Sequence, residues 1–426
     1  MSSVLLCSAP VHGHVSPLLS VASHLVATGH RVRFLTGARY RAAVEGTGAE
    51  FLPLPAGADF DDTALDREFP DRTNHQGLDR LRYDLREVFL RPMPDQIAAV
   101  DAALAAEPTD AVLAEMLFIG AAALARRPRA SRPTLVCLGI VPLSLKSRHA
   151  APFGLGLHPM PGPIGRLRNG MLNVAVEKVV FGSVQRYAQR VHQSATGHRL
   201  PGFVLDWPSW TDAVVQFTVP GFEYPRPDRD GLVHFVGPVS RGGAGDQPLP
   251  PWWGELSSGR PVVHVTQGTI ANQDHTALIR PTIDALAGDD VLVVVSTGGR
   301  PAETLEGPLP DNVRVASYLP YDLLLPLTDV MVTNGGYGGV HFALRHGVPL
   351  VVAGTTEDKI EVTARVAWSG VGINLKTDTP TSEAVGTAVR TVLAQPDYRK
   401  AAERIGGEIL AAPGLAGLAT LIARIA

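Results

Sequence analysis

Two series of short, nearly unbroken apolar runs, punctuated by Gly, Pro and Asp and alternating with stretches of helical period, constrain this chain more than any other feature. A run that is apolar at every position belongs to a strand covered on both faces. Strands of that kind sit in parallel sheets joined by crossover helices. In the first half the runs fall at 4–9 (VLLCSA), 31–36 (RVRFLT), 50–53, 111–113 and 134–138, with helical stretches over 17–27, 78–90, 93–106 and from about 118. In the second half they fall at 261–269, 290–297, 313–320, 330–336, 349–354 and 371–375. The pattern predicts an α/β protein of two Rossmann-like, doubly wound parallel-sheet domains that face each other. The carboxyl ends of the strands would then gather around one cleft, where ligands of open α/β sheets bind.

At about 150 residues per domain, 426 residues allow two or three domains. The stretch 237–251 (GPVSRGGAGDQPLPP) has the composition of a linker. It separates an N-terminal domain, 1–236, from a C-terminal domain, 252–405, and residues 406–426 are expected to form a C-terminal helix that packs back on the first domain. A polar region from 56 to 76 is expected to be mobile. The Gly/Pro-rich segment 149–168 reads as a loop over the active face, and 169–190 reads as a long helix.

Charge narrows the function. Lys and Arg number 38 against 41 Asp and Glu, with no block of one sign, which excludes the basic footprint of a nucleic-acid binder and argues against a polybasic membrane anchor or membrane insertion. No apolar run reaches 18 residues, and the chain starts without a basic leader, so a cytoplasmic protein is expected. Cys7 and Cys137 lie inside apolar runs and read as buried thiols on strands, neither a disulfide nor a zinc site. Oligomeric state is not readable.

Four segments at predicted strand ends carry chemistry. In PVHGHVSP (10–17) an imidazole just outside strand one can act as a general base near neutral pH, and His14 is the candidate, with His12 a turn residue. No Asp, Glu or Cys lies near enough in sequence to complete a metal shell, so no metal is expected. In MVTNGGYGGVHFALRHGVP (331–349) a strand ends in a Gly-rich turn that opens a helix, where free N–H groups and the positive helix end suit a diphosphate. In VTQGT (265–269), Thr266 and Thr269 offer hydroxyls and Gly268 a backbone that a ligand can approach. In GTTEDKIE (354–361), Asp358 and Lys359 suit sugar hydroxyls, or else cap a helix. Phe60, Phe69, Phe89, Leu143, Phe153, Leu155 and Leu157 would suit a broad apolar pocket in the N-terminal half, although core packing explains each singly.

Taken together, GHVSPLLSVASHLVATGHRVRFLT (13–36) and TNGGYGGVHFALRHGVPLVVAGTTEDKIEVTARV (333–366) resemble the bacterial family 1 glycosyltransferases of GT-B fold that act on macrolides, ansamycins and other natural products. The resemblance implies that the N-terminal domain holds a hydrophobic acceptor and the C-terminal domain a nucleotide sugar, first UDP-glucose and second a dTDP-sugar, with no other cofactor. It implies His14 as catalytic base, oriented by Glu115 where the family has Asp. It places Tyr318 under the nucleotide base, the Leu319 backbone at the base edge, and Gly335, Gly336, Gly338 and Gly339 around the diphosphate. Thr266, Gly268 and Thr269 would close over it, and Asp358 and Lys359 would grip the sugar. Asn334, Gly339 and Phe342 stand where the family has His, Ser or Thr, and Glu, which predicts a diphosphate held by backbone and a nucleotide held differently at ribose. The implied reaction is one displacement with inversion. An epimerase or hydrolase of the same fold, and a non-catalytic nucleotide-sugar or partner binder, remain the alternatives.

Overall fold

The computed structural model describes residues 2–239, 248–269 and 272–425. Seven parallel strands form the first sheet: β1 (Ser3–Cys7), β2 (Arg31–Thr36), β3 (Glu50–Pro53), β4 (Ala111–Glu115), β5 (Thr134–Gly139), β6 (Ala213–Gln216) and β7 (Val233–Phe235), in the order β3-β2-β1-β4-β5-β6-β7. Six form the second: β8 (Val262–Thr266), β9 (Leu292–Ser296), β10 (Val313–Ala316), β11 (Val330–Thr333), β12 (Leu350–Val352) and β13 (Gly372–Asn374), in the order β10-β9-β8-β11-β12-β13. The unbroken apolar runs have the expected cause. Along β1, Leu5 and Cys7 belong to one core while Val4 and Leu6 belong to the core on the opposite face. Along β11, Val330 and Val332 face one core and Met331 the other. Both cysteines are buried free thiols, and burial pushes their pKa up.

Several expectations need adjusting. Strands β6, of four residues, and β7, of three, were not expected. The first helix spans His12–Ala27, five residues longer than the pattern suggested, so His12 and His14 stand in its first turn. The region 56–76 contains short turns of helix, among them Asp62–Ala64, Leu65–Glu68 and Pro70–Asn74. The long helix begins earlier, at Gly162, and is interrupted by a π turn over Val176–Val180 before resuming over Gly182–Thr196. Of the linker expected at 237–251, residues 240–247 lie outside the described residues.

The chain ends in two helices. Pro396–Ala411 places Ala402, Ile405 and Ile409 in a core of the second sheet, and Gly414–Ile425 places Leu418, Leu421 and Ile422 in a core of the first. Buried polar contacts also cross between the sheets. The Thr218 hydroxyl lies 2.6 Å from His341 Nε2, and Gln216 Nε2 donates to the Tyr337 hydroxyl at 3.2 Å. Arg365 is fully buried and bridges Glu223 at 2.6 Å and Glu361 at 2.7 Å, with its guanidinium 4.1 Å from the Tyr224 ring centre. Burial alone would raise the Glu223 pKa, but the Arg365 and Arg226 charges outweigh it and hold the carboxyl below its usual range. No single helix among the described residues is long and apolar enough to cross a membrane.

Candidate active site

In each sheet the chain reverses its direction of growth once, between β1 and β4 and between β8 and β11. Adjacent loops diverge at such a point and leave a crevice at the carboxyl end. His14 follows β1 and Glu115 ends β4, while Gln267 and Gly268 follow β8 and Asn334 and Gly335 follow β11. Three of the four sequence-predicted segments, 10–17, 265–269 and 331–349, therefore meet the switch points, and 354–361 follows the neighbouring β12.

On the first side, Glu115 is fully buried. Its carboxylate accepts from Ala9 N–H at 3.0 Å, Leu117 N–H at 2.7 Å and His14 Nδ1 at 2.9 Å. Because a carboxylate only accepts, the His14 proton resides on Nδ1, and Nε2 is left with a lone pair. The His14 side chain is 14% exposed and its ring stacks on Phe89, with centroids 6.3 Å apart. Burial works against the imidazolium, but the Glu115 charge and hydrogen bond outweigh it, and Asp358 and Asp62 add to them, so His14 titrates above its ordinary value. His12 is exposed, and only its backbone N–H takes part, donating to Asp62 Oδ2 at 2.7 Å. Asp62 also accepts from the Tyr40 hydroxyl at 2.8 Å. It thus caps the helix that carries His14, a role that no residue adjacent to the helix fills.

On the second side, backbone does most of the shaping. Gly335 has φ +81, and a Cβ there would lie 2.6 Å from Thr363 Cγ2, so only glycine fits. The following helix, Tyr337–Arg345, starts without a side-chain cap, with Gly336 at its N-cap and Gly338 and Gly339 in its first turn. Asn334 Nδ2 donates to the Gln267 carbonyl at 2.5 Å, tying the two strand-end loops together. Gly268 has φ +73, and its N–H donates to Thr266 Oγ1 at 3.1 Å. Thr266 is buried and shapes the loop from within, while Thr269 is exposed. Leu319 anchors its side chain in a core with Leu292 and Val294, and the neighbouring Tyr318 ring is 47% exposed and lies over Gly299. Phe342 packs edge-on against Tyr321.

Asp358 follows β12 in the second sheet. It precedes the helix Lys359–Trp368 but does not cap it with its side chain. Burial raises its pKa above the usual carboxylate range, against the neighbouring Lys359 charge, and its field and that of His14 act on each other. Lys359 is buried and its ammonium pairs with Glu357.

Sequence reasoning missed Asp62 because it lies 50 positions from the helix it caps. It also missed Asn272, whose amide holds the carbonyls of Gly268, Thr297 and Gly298 and whose Oδ1 accepts from Arg300 Nε at 3.2 Å, bringing a cation to the second side. Of the apolar acceptor candidates, Phe60 and Phe69 pack with Tyr83 and Val88 in one small core and Leu143 joins a larger one, whereas Leu155 and Leu157 are exposed.

Residues 280–424 match the family described as erythromycin biosynthesis protein CIII-like, C-terminal domain. The chain is 42% identical over 423 residues to 4'-demethylrebeccamycin synthase of Lentzea aerocolonigenes, covering 98% of each protein. It is 36% identical over 437 residues to UDP-glycosyltransferase 2 of Phaeomoniella chlamydospora, covering 99% of this chain and 95% of that one. Its fold matches that of the glycotransferase of kitacinnamycin with a TM-score of 0.73 at 22% identity, over 100% of this chain and 98% of that one. Similarity that runs through both sheets and both switch points identifies this chain as a glycosyltransferase of the GT-B fold, a member of family 1.

Proposed function

We propose that this glycosyltransferase moves a sugar, glucose first, from a nucleoside diphosphate, UDP first and dTDP second, to a hydroxyl of a hydrophobic natural-product acceptor, with inversion at the anomeric carbon. The observation that carries the reading is the hydrogen bond from His14 to the buried Glu115 at the first switch point, near enough to Asp358 for their charges to act on each other. His14 Nε2 takes the acceptor hydroxyl proton as that oxygen attacks the anomeric carbon. Glu115 fixes the tautomer and stabilises the imidazolium as it forms. The bond from anomeric carbon to diphosphate oxygen breaks, and the departing charge is received by the uncapped N–H groups of the Tyr337–Arg345 helix and the Gly335–Gly336 turn. Asp358 accepts from sugar hydroxyls, Tyr318 stacks on the base, and the Leu319 backbone reads the base edge. Asn334 serves by holding the two donor loops at a fixed separation.

Support for the donor and acceptor classes comes from the relatives: one is a UDP-glycosyltransferase, the other a synthase of the rebeccamycin series. The test is incubation of purified protein with UDP-glucose or dTDP-glucose and a panel of hydroxylated polyketide acceptors. The reading expects a glycoside whose anomeric configuration, read by NMR coupling constants, is opposite to that of the donor. Retained configuration, or nucleotide release into water without glycoside, contradicts it.

A further inference from the structure

The helix Gly162–Ala175 is inside out. Its inward face is Gly165, Asn169 and Asn173, all buried. A Cβ on Gly165 would lie 1.8 Å from the Met160 carbonyl, so the helix touches the preceding loop backbone to backbone. Asn169 Nδ2 donates to the Arg148 carbonyl at 3.1 Å, and Asn173 Nδ2 to that of Ser147 at 3.2 Å. Polar amides therefore hold this helix to the protein, where apolar side chains would ordinarily do so.

Its outward face is apolar. Ile164 is 77% exposed, Leu167 and Met171 66%, and Val174 57%, at spacings of three, four and three residues that keep them in one stripe. The π turn over Val176–Val180 carries the exposure on to Val179. Scattered exposed apolar residues need no explanation, but an ordered stripe of this length does.

The charge around the stripe says what covers it. Residues 146–199 contain eight Lys and Arg and one acidic residue, Glu177, whereas the whole chain has 38 against 41. Lys146 and Glu177 pair with each other, which leaves seven Lys and Arg in this stretch. Arg166 and Lys178 are exposed and Arg168 is partly so, on the helix itself and in the turn that follows it. A second copy of the chain docking by the same face would bring like charges together, which is costly. An apolar stripe flanked by cations, on a helix too short to span a bilayer, is the pattern of a helix that lies in a lipid interface.

We propose that the Gly162–Ala175 helix and the turn after it seat the protein on an anionic lipid surface, with Ile164, Leu167, Met171 and Val174 among the acyl chains and Arg166, Arg168 and Lys178 at the headgroup phosphates. The contact is interfacial and does not cross the bilayer. The loop before this helix is tied to the second domain, since Gly154 and Gly156 N–H both donate to Glu361 Oε1, at 2.8 and 2.9 Å. A surface-bound protein therefore holds one lip of its cleft beside the lipid.

Co-sedimentation of the full chain with vesicles of phosphatidylcholine alone, or of phosphatidylcholine with phosphatidylglycerol, tests this without reference to catalysis. Binding to the phosphatidylglycerol vesicles is expected, weakened by high salt, with little binding to phosphatidylcholine alone. The triple variant Leu167→Ser, Met171→Ser, Val174→Ser alters only exposed side chains, and its folding is checked by its circular dichroism melt. It should bind those vesicles roughly 100-fold more weakly, and Arg166→Glu with Lys178→Glu should also reduce binding to anionic vesicles. Wild-type protein that stays in the supernatant with both vesicle types overturns the proposal, as does a folded triple variant that binds like wild type. A concentration-dependent dimer in light scattering that the triple variant abolishes, without vesicle binding, would show the face to be a self-contact and overturn it equally.

Discussion

The two switch points are built in opposite ways. At the first, side chains meet side chains: a buried carboxylate accepts three hydrogen bonds, one of them from the imidazole it orients. At the second, glycine backbone and an uncapped helix end provide the surface, and the flanking side chains brace loops or pack in cores. The first construction fails when one atom is misplaced. The second depends on backbone shape, so the turn keeps its form with Asn334, Gly339 and Phe342 at the positions where the family resemblance implies His, a hydroxyl and Glu.

That contrast can be attacked from both sides. The largest effect is expected from His14→Ala, which should lower kcat/KM for an alkyl hydroxyl acceptor by about 10²–10⁴-fold, and by less for a more acidic phenol. A loss of equal size for both acceptors would mean that His14 does not act by taking the proton. Next comes Arg365→Ala, which leaves Glu361 buried without its cation and Glu223 with Arg226 alone, and should cost about 3–5 kcal/mol in denaturant unfolding. Gly335→Ala forces a side chain into a left-handed φ and against Thr363, at about 1–3 kcal/mol. If the donor side is backbone-built, this variant should raise the donor KM far more than the acceptor KM, while Asn334→His should change donor affinity less than Gly335→Ala does. The smallest change, Phe342→Glu, exchanges an aromatic contact with Tyr321 for a carboxylate. It should cost about 1 kcal/mol of stability and shift donor KM only a few-fold, measured by thermal melts and initial rates.

How much of this was legible in the sequence follows from the range of each interaction. Runs such as VVHVT and LVVVS announce their strands because every position is buried. Strand β7 pairs on β6 at the edge of its sheet and is only half-buried along its length, so it carries no fully apolar run, and β6 forms between it and β5. The start of the first helix could not be placed from its own residues, since its N-terminal N–H is satisfied by Asp62 in a region that reads as polar loop. Glycines with positive φ, such as Gly268 and Gly335, were visible as close-approach positions. The capture of Lys359 by Glu357 and the Arg365 bridge to Glu223 were not, because an ion pair leaves no periodic trace. Glu115 became a candidate only through family resemblance, and its burial beside His14 is a structural fact that no local pattern encodes. Overall charge also misled: a net value near zero conceals the basic stretch at 146–199.

The central claim is that the Glu115 carboxylate sets the basicity of His14, and the most direct measurement is the pH dependence of kcat/KM for wild type and Glu115→Gln. A base must be neutral to act, so activity should fall as pH drops through the His14 pKa, which Glu115 holds above its ordinary value of about 6.5. In Glu115→Gln the carboxylate charge is gone and burial, which disfavours the imidazolium, is unopposed by it. The acidic limb should therefore move to lower pH while the maximal rate falls. An acidic limb in the same place in both proteins would contradict the account, because the group titrating there would then not be the imidazole that Glu115 holds.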